Sequence, residues 1–377
     1  MRNTSIVLPT ILLSLKNFLV FSILFYLPLY FSNMGFSGLQ IGVLLSTFAV
    51  TSFASSFLAG LLSDRFPVRY LSALSFFLLI VYLISFSLTE NFWIILASFF
   101  VGGLGNNVAD ISLTSFVLKI TEKKDSGKPL GVFTTVKTLA SGLGALTGGL
   151  LLAHLAFRNV FMVLAFLFFI TIVFTLLVRK IGTFRYSLEH YRGDLWKKEV
   201  FFFILLIFVF TMHWGAEGTS YSLLLQENFG LDQTSMALYI GTVWIVFGLF
   251  ILYISRKIQD TTSLKRIIYP GLILSGAGHI LFVIPSLPFS YFFRLVHEFG
   301  DAAFEMFLLV GIHRYFPTER IGGTSGVVLT VTIAGRLVGS LVFGPIGDLW
   351  GYHYPFIISG ILTLLCLFIV MGSNLHI

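Results

Sequence analysis

Gly131-Val-Phe-Thr-Thr-Val136 returns 195 residues later as Gly326-Val-Val-Leu-Thr-Val331. Gly131, Val132, Thr135 and Val136 match Gly326, Val327, Thr330 and Val331. The same offset, held without a gap, aligns Tyr26, Asn33 and Gly35 with Tyr221, Asn228 and Gly230. It also aligns Gly105 and Asp110 with Gly300 and Glu305, and Gly144, Gly149 and Phe161 with Gly339, Gly344 and Phe356. One register running through all these positions says more than any single match. In an apolar chain, so long a period means two equal membrane halves with a site between them.

Composition makes the membrane unavoidable. Of 377 residues, 56% are hydrophobic and 11% charged, and the mean hydropathy is +0.94. Soluble domains carry roughly 25% charged residues. Apolar runs of about 20 residues recur down the chain, each enough to cross a hydrocarbon layer of roughly 30 Å. Lipid cannot satisfy a strand edge, so the spanning elements are helices. The pattern predicts twelve, near 6–30, 41–62, 71–89, 93–118, 130–153, 159–178, 200–226, 235–255, 267–285, 290–313, 323–347 and 354–372. The fold class expected is an all-α integral membrane protein of two six-helix bundles related by a pseudo-two-fold axis. The bundles are 1–178 and 200–377. A basic, polar linker at 179–199, with Arg179, Lys180, Arg185, Arg192, Lys197 and Lys198, joins them.

The net charge of +7 follows the positive-inside rule. Arg2, Arg65, Arg69, Lys119, Lys123, Lys124, Lys128, the linker cations, Arg256, Lys257, Lys265, Arg266, Arg314 and Arg320 all fall on one side. Only Arg158 falls on the other. A multi-pass protein of the cell (plasma or cytoplasmic) membrane is expected, a monomer with both termini cytoplasmic. Its basicity needs no nucleic-acid partner. Met1 to Ser5 lead straight into the first span, with no cleavable signal evident. The single Cys366 makes no intrachain disulfide.

The loop after the second span reads Gly60-Leu-Leu-Ser-Asp-Arg-Phe-Pro-Val-Arg69. It resembles the signature of the major facilitator superfamily, Gly-x-Leu-Ala/Ser-Asp-Arg-x-Gly-Arg, found at this same loop. Gly60, Leu62, Ser63, Asp64 and Arg65 match in register. Pro67 replaces the usual Gly, and Arg69 lies one place late. Physically this is a conformational switch built from Gly60, Asp64, Arg65 and Arg69. The Gly lets helices approach, and the Asp can cap a facing helix in one conformation only. The fifth span adds Gly131, Ala140, Gly144, Ala145, Gly148 and Gly149, a spacing similar to the family's antiporter glycine pattern. The usual Gly-Pro of that pattern is here Gly144-Ala145. Such small residues also serve simple close packing.

Charges inside the spans mark the function. A charge at mid-bilayer costs roughly 2.5–3.5 kcal/mol, so these side chains must face protein or water. Lys16, Asp110, Glu217, Arg294, Glu298, Asp301 and Glu305 lie on spans one, four, seven and ten. Lys137 and Arg336 lie on five and eleven, and none lies on three, six, nine or twelve. The resemblance implies that the first group lines a central cavity and the last faces lipid. Span ten is densest: Arg294, Glu298, Asp301 and Glu305 fall within an arc of about 60°, and His297 widens it to about 100°. Where the family often has an Arg tied to proton transfer in span four, this chain has Phe99, whose repeat partner is Arg294. Depth along the helices suggests pairing Asp110 with Lys137 and Asp301 with Arg336, and sets Glu217 level with Glu298.

Burial raises a carboxylate's pKa and a neighbouring Arg lowers it, so a carboxylate that exchanges an Arg partner takes up and releases a proton. Arg294, His297, Glu298, Asp301, Glu305 and Arg336 are therefore the proton-coupling candidates. Lys16, Asp110, Lys137, His213, Trp214 and Glu217 are the substrate-cavity candidates. His279, on a helix expected to face lipid, reads as a packing residue. No Gly-x4-Gly-Lys-Ser/Thr loop indicates ATP, no Cys/His spacing indicates a metal, and no nucleophile–base set indicates an enzyme or a cofactor. The expectation is a secondary active transporter of a small organic solute. It would work by alternating access, coupled to protons, leaning to efflux by antiport. Uptake of a sugar, nucleoside or similar metabolite by symport is the alternative. A non-transporting receptor on the same scaffold is the alternative of another class.

Overall fold

A computed structural model describes residues 6–24, 26–123, 126–181, 187–258 and 261–372. Among the described residues all the regular structure is helical. The helices are α1 (Val7–Leu24), α2 (Leu27–Asn33), α3 (Gly38–Arg65), α4 (Val68–Leu88), α5 (Phe92–Ile120), α6 (Gly127–His154) and α7 (Phe157–Thr175). They continue as α8 (Leu188–Leu195), α9 (Lys198–Thr211), α10 (His213–Phe229), α11 (Gln233–Ser255) and α12 (Thr261–Leu281). The last are α13 (Leu287–Tyr315), α14 (Ile321–Trp350) and α15 (His353–Gly372), with one 3-10 turn at Thr318–Arg320. Ten segments among the described residues are long and apolar enough to cross a membrane. α13 runs for 29 residues, but Arg294, Glu298, Asp301 and Glu305 interrupt its apolar character.

Local chemistry explains the helix ends. Ser37 opens α3 with a capping box: its hydroxyl accepts the Gln40 N–H, and the Gln40 side chain accepts the Ser37 N–H at 2.9 Å. Pro67 forces Phe66 into extended backbone, and α3 stops there. Gly35 and Gly230, partners in the repeat, both have positive φ, +83° and +64°. Each lies just past a helix, where a left-handed residue turns the chain and a Cβ would be strained.

Two expected spans carry a local interruption and still run on as single membrane-length segments, Val7–Asn33 and Lys198–Phe229. The first comprises α1 and α2. In the seventh, Met212 keeps helical dihedrals, φ -60° and ψ -33°, and the ladder tightens to i→i+3 bonds between α9 and α10. The expected linker also carries a helix, α8, anchored by buried Tyr191 and Asp194. Its polar composition hid a pattern only eight residues long.

The chain divides into two compact units. The first comprises Met1–Ile120, Val136–Tyr186 and Thr318–Val327; the second comprises Thr121–Thr135, Ser187–Pro317 and Val328–Ile377. α6 thus begins in the second unit and continues in the first, and α14 does the reverse. The glycines explain both. A methyl group at Gly131 would strike Ser255 of α11, and one at Gly326 would meet the main chain at Ser56 of α3. Further along, Gly144 and Gly148 lie against the main chain of Phe18 and Ser22 on α1. Gly335 and Gly339 lie against that of Phe208 and Met212. The small-residue pattern is a pair of seams in which backbone meets backbone, placed alike in both repeats.

Candidate functional site

The second unit holds a polar cluster where α10, α12 and α13 meet. Glycine sets their spacing. A Cβ at Gly278 would lie 2.5 Å from the His297 backbone nitrogen, and one at Gly300 would run into Ser275 and Gly271. α12 and α13 therefore cross nearly in backbone contact. This carries Ser275 and His279 of α12 onto the polar face of α13.

Arg294 is the centre of charge. Its Nη1 donates to Glu217 Oε1 at 2.5 Å, and its Nη2 lies 2.6 Å from Glu298 Oε1. Its guanidinium carbon also stands 4.5 Å from the Tyr221 ring centroid and 5.6 Å from that of Phe282. Glu217 and Glu298 thus meet through one cation. Asp301 is held differently. Its Oδ1 accepts the Ser275 hydroxyl at 2.7 Å, and its Oδ2 accepts the Trp214 indole N–H at 2.8 Å. His213 Nε2 lies 3.1 Å from the same Oδ2. This cluster contains three carboxylates, Glu217, Glu298 and Asp301, and one guanidinium, which the first two share. Such an acidic excess in a buried apolar setting has to be balanced by cations.

Three imidazoles close the cluster. His213 donates from Nδ1 to the Phe210 carbonyl at 2.6 Å. His297 donates from Nδ1 to the Ser275 carbonyl at 2.8 Å, and its Nε2 lies 3.1 Å from Glu217 Oε1. His279 is fully buried, with its ring centroid 4.4 Å from that of His297. This corrects the reading of His279 as a packing residue on a lipid-facing helix: the glycine seam turns it inward. The signal available in the sequence was that seam, Gly271, Ser275 and Gly278, one turn apart along α12.

The other expected members lie elsewhere. Arg336, expected beside Asp301, is exposed and lies against Gly218. Glu305 is half-buried farther along α13. In the first unit, Asp110 takes Lys16 as its partner: Nζ reaches both carboxylate oxygens at 2.8 Å and Asn106 Oδ1 at 2.9 Å. The pairing of Asp110 with Lys137 is thus replaced by a bond from α1, because depth along a helix does not report the direction a side chain faces. Lys16 is buried, whereas the Asp110 side chain is 31% exposed.

The loop motif makes a second polar site. Asp64 is fully buried. Its Oδ1 accepts the Gly322 N–H at 2.9 Å and its Oδ2 accepts the Gly323 N–H at 2.8 Å, at the start of α14. Lys119 Nζ lies 2.8 Å from Oδ1. Gly60 permits the approach, since a Cβ there would collide with the Gly322 carbonyl. The carboxylate caps unsatisfied N–H groups at the positive end of a helix dipole. Arg65 is exposed, and Arg69 folds over the Tyr70 ring at 4.7 Å. Sequence reasoning named Asp64 but missed Lys119, Gly322 and Gly323.

Comparison with known proteins agrees with this architecture. The Major Facilitator Superfamily model matches residues 10–269 and 258–373. The chain is 24% identical over 332 residues to the quinolone resistance protein NorA of Staphylococcus aureus (strain MSSA476), covering 85% of this chain and 84% of that protein. It is 25% identical over 360 residues to multidrug resistance protein 2 of Bacillus subtilis (strain 168), covering 92% and 89%. Its fold is similar to that of the human organic anion transporter MFSD10 (TETRAN). The TM-score is 0.81 at 16% identity, over 97% of this chain and 98% of the other. Duplicated helical architecture, loop motif and family match lead to one conclusion: the chain is a multi-pass membrane transporter belonging to the major facilitator superfamily.

Proposed function

We propose that the protein is a secondary active exporter of small organic solutes, working by alternating access and driven by protons. The observation that carries this reading is the acidic excess on α10 and α13, where Glu217 and Glu298 share Arg294 and Asp301 adds a third carboxylate held by Ser275, Trp214 and His213. Entering protons balance that excess, and a solute-linked rearrangement of Arg294 releases them. Glu298 and Asp301 carry the coupling protons, with Arg294 as the cation competing for Glu298. The direction is supported by two relatives named for resistance to quinolones and to multiple drugs, because export is the transport direction that protects a cell. The halves 1–178 and 200–377 are the moving bodies, both termini are cytoplasmic, and the monomer is the working unit. Asp64 is the latch, gripping the first turn of α14 in one state and releasing it in the other.

The decisive experiment uses proteoliposomes with an imposed proton gradient. Uphill movement of a fluorescent amphipathic drug is expected from the wild type. It is expected to vanish in Glu298→Gln/Asp301→Asn, while downhill solute exchange continues. Retained uphill transport in that double variant would sink the coupling assignment. A second reading, uptake of a hydroxyl-bearing metabolite, is favoured by the partly exposed Asp110 carboxylate within the Lys16–Asn106–Asp110 triad. Counterflow with sugars and nucleosides in the same vesicles separates the two.

A further inference from the structure

We infer that His213, Glu217, His279 and His297 form a binding site for a divalent transition metal of the zinc class. Four such ligands, three nitrogens and one oxygen, are the set that zinc accepts. The inference stands apart from the transport reading, because it concerns what the cluster binds and not what the protein moves.

Geometry is the first support. One ligand atom from each residue lies within 4.8 Å of every other. Tetrahedral zinc, with bonds of roughly 2.0–2.1 Å, sets neighbouring ligand atoms about 3.3 Å apart. Glu217 Oε1 to His297 Nε2 is 3.1 Å, and His279 Nδ1 to His297 Nε2 is 3.4 Å. His279 Nδ1 to Glu217 Oε1 is 4.0 Å. Three edges of a tetrahedron are thus nearly in place, and His213 completes it with a modest inward shift.

Hydrogen bonding is the second. A carbonyl oxygen only accepts, so the contacts to Phe210 and Ser275 fix the N–H of His213 and His297 on Nδ1. Nε2 is then the nitrogen free to ligate: that of His297 points at Glu217 Oε1 and that of His213 at Asp301 Oδ2, each 3.1 Å away. Each contact needs a positive centre, a proton or a metal cation. An outer Nδ1–H bound to a backbone carbonyl, with Nε2 left for the ion, is how metal-binding histidines are oriented. Asp301 completes the surroundings, held by Ser275 and Trp214.

Crowded buried polarity is the third. His279 turns Nδ1 to His297 Nε2 at 3.4 Å and to Glu217 Oε1 at 4.0 Å. Three buried imidazoles, two of them within 4.0 Å of the Glu217 carboxylate and the third on Asp301, share one site. Glu217 adds a negative charge to the imidazoles, which favours a cation among them. Arg294 then retains Glu298. The three histidine side chains are fully enclosed, whereas that of Glu217 is 21% exposed and is the mouth through which an ion enters.

The test uses the full-length protein in detergent, without a polyhistidine tag. Calorimetric titration with Zn2+ is expected to show one ion per chain, with no binding of Mg2+. His279→Ala and His297→Ala are each expected to weaken Zn2+ by at least about tenfold, and His353→Ala to leave it unchanged. X-ray absorption on the wild type needs no variant to fold, and it should show a nitrogen/oxygen shell at roughly 2.0–2.1 Å with scattering from three imidazoles. Absence of stoichiometric Zn2+ from the wild type would overturn the site. So would a spectrum with fewer than two imidazoles, or folded variants that bind as tightly as the wild type. None of these readouts depends on transport, so the metal site and the exporter stand or fall separately.

Discussion

Asp64 holds the main chain of Gly322, 258 residues away, through a hydrogen bond of 2.9 Å from N–H to carboxylate. Gly323 and Lys119 complete its coordination, and no solvent reaches it. Asp64→Ala removes two acceptors from the start of α14 and strips Lys119 of its counter-charge. Loss of the cap alone is expected to cost about 1–2 kcal/mol. Thermal unfolding in detergent should show the loss, and transport should fall at least tenfold. Asp64→Asn keeps an acceptor oxygen and should recover much of the stability, but not the ion pair.

The crossing of α12 and α13 makes a sharper prediction. Gly278 has no room for a methyl group, because the nearest atoms belong to the His297 and Phe293 main chain and cannot swing aside. Gly278→Ala should therefore destabilise the second unit by about 1–3 kcal/mol, the usual penalty of overpacking. Gly230→Ala has no steric obstacle within 4 Å but carries a φ of +64°. It should cost about 1–2 kcal/mol through backbone strain alone. Melting temperatures of the two variants test whether space or conformation is the stricter constraint.

Lys16 and Asp110 should behave as a coupled pair. Asp110→Asn leaves the buried Lys16 without its counter-charge, at an expected cost of about 3–5 kcal/mol. Lys16→Met combined with Asp110→Asn should recover a large part of that loss. A double-mutant cycle on unfolding free energy measures the coupling, and additivity of the single variants would show that the two residues act separately.

Asp232 gives a prediction in pH. It lies just ahead of the apolar part of α11 and caps that helix, accepting the Ser235 N–H at 2.7 Å. Hydrogen bonds from the Ser235 side chain and then its backbone hold the carboxyl below the usual carboxylate range. A depressed folded-state pKa contributes stability that is present above the unfolded value and is lost as pH falls through the folded one. The stability difference between wild type and Asp232→Ala should hold at neutral pH and shrink on acidification. Melting curves at both ends of that range check it.

Much of this architecture was legible in the sequence, and the reasons are physical. Hydropathy marks spans because lipid demands continuous apolar surface, and a shared register exposes a duplication even at low identity. Gly35 and Gly230 show the repeat surviving as conformation, since only glycine adopts that turn freely. The polar face of α13 was visible because Arg294, His297, Glu298 and Asp301 lie on one stripe by helical period alone. Their partners were not visible. Which face of α12 turns inward is decided by Gly271 and Ser275 against Gly300 and by Gly278 against the His297 main chain, a seam of small residues that carries no amphipathic signal and is readable only by its spacing. Asp110 went to Lys16 and not to Lys137 for a related reason: axial depth is readable from sequence, but azimuth around a bundle is set by packing. The tightening at Met212 leaves no mark in the sequence, because apolar character continues through it.

The exchange of segments by α6 and α14 bears on how the protein is made. The first unit includes Thr318–Val327, which leave the ribosome about 200 residues after Ile120. At about 5–20 residues per second, translating the stretch from residue 120 to 318 takes on the order of 10–40 s. Through that interval the amino-terminal helices wait in the bilayer with the partner of Gly60 and Asp64 not yet synthesised. Until then Asp64 lacks the two N–H groups that cap it, and Lys119, already translated, is the cation within its reach. A premature stop before residue 318 should therefore yield a first half that is inserted yet short-lived.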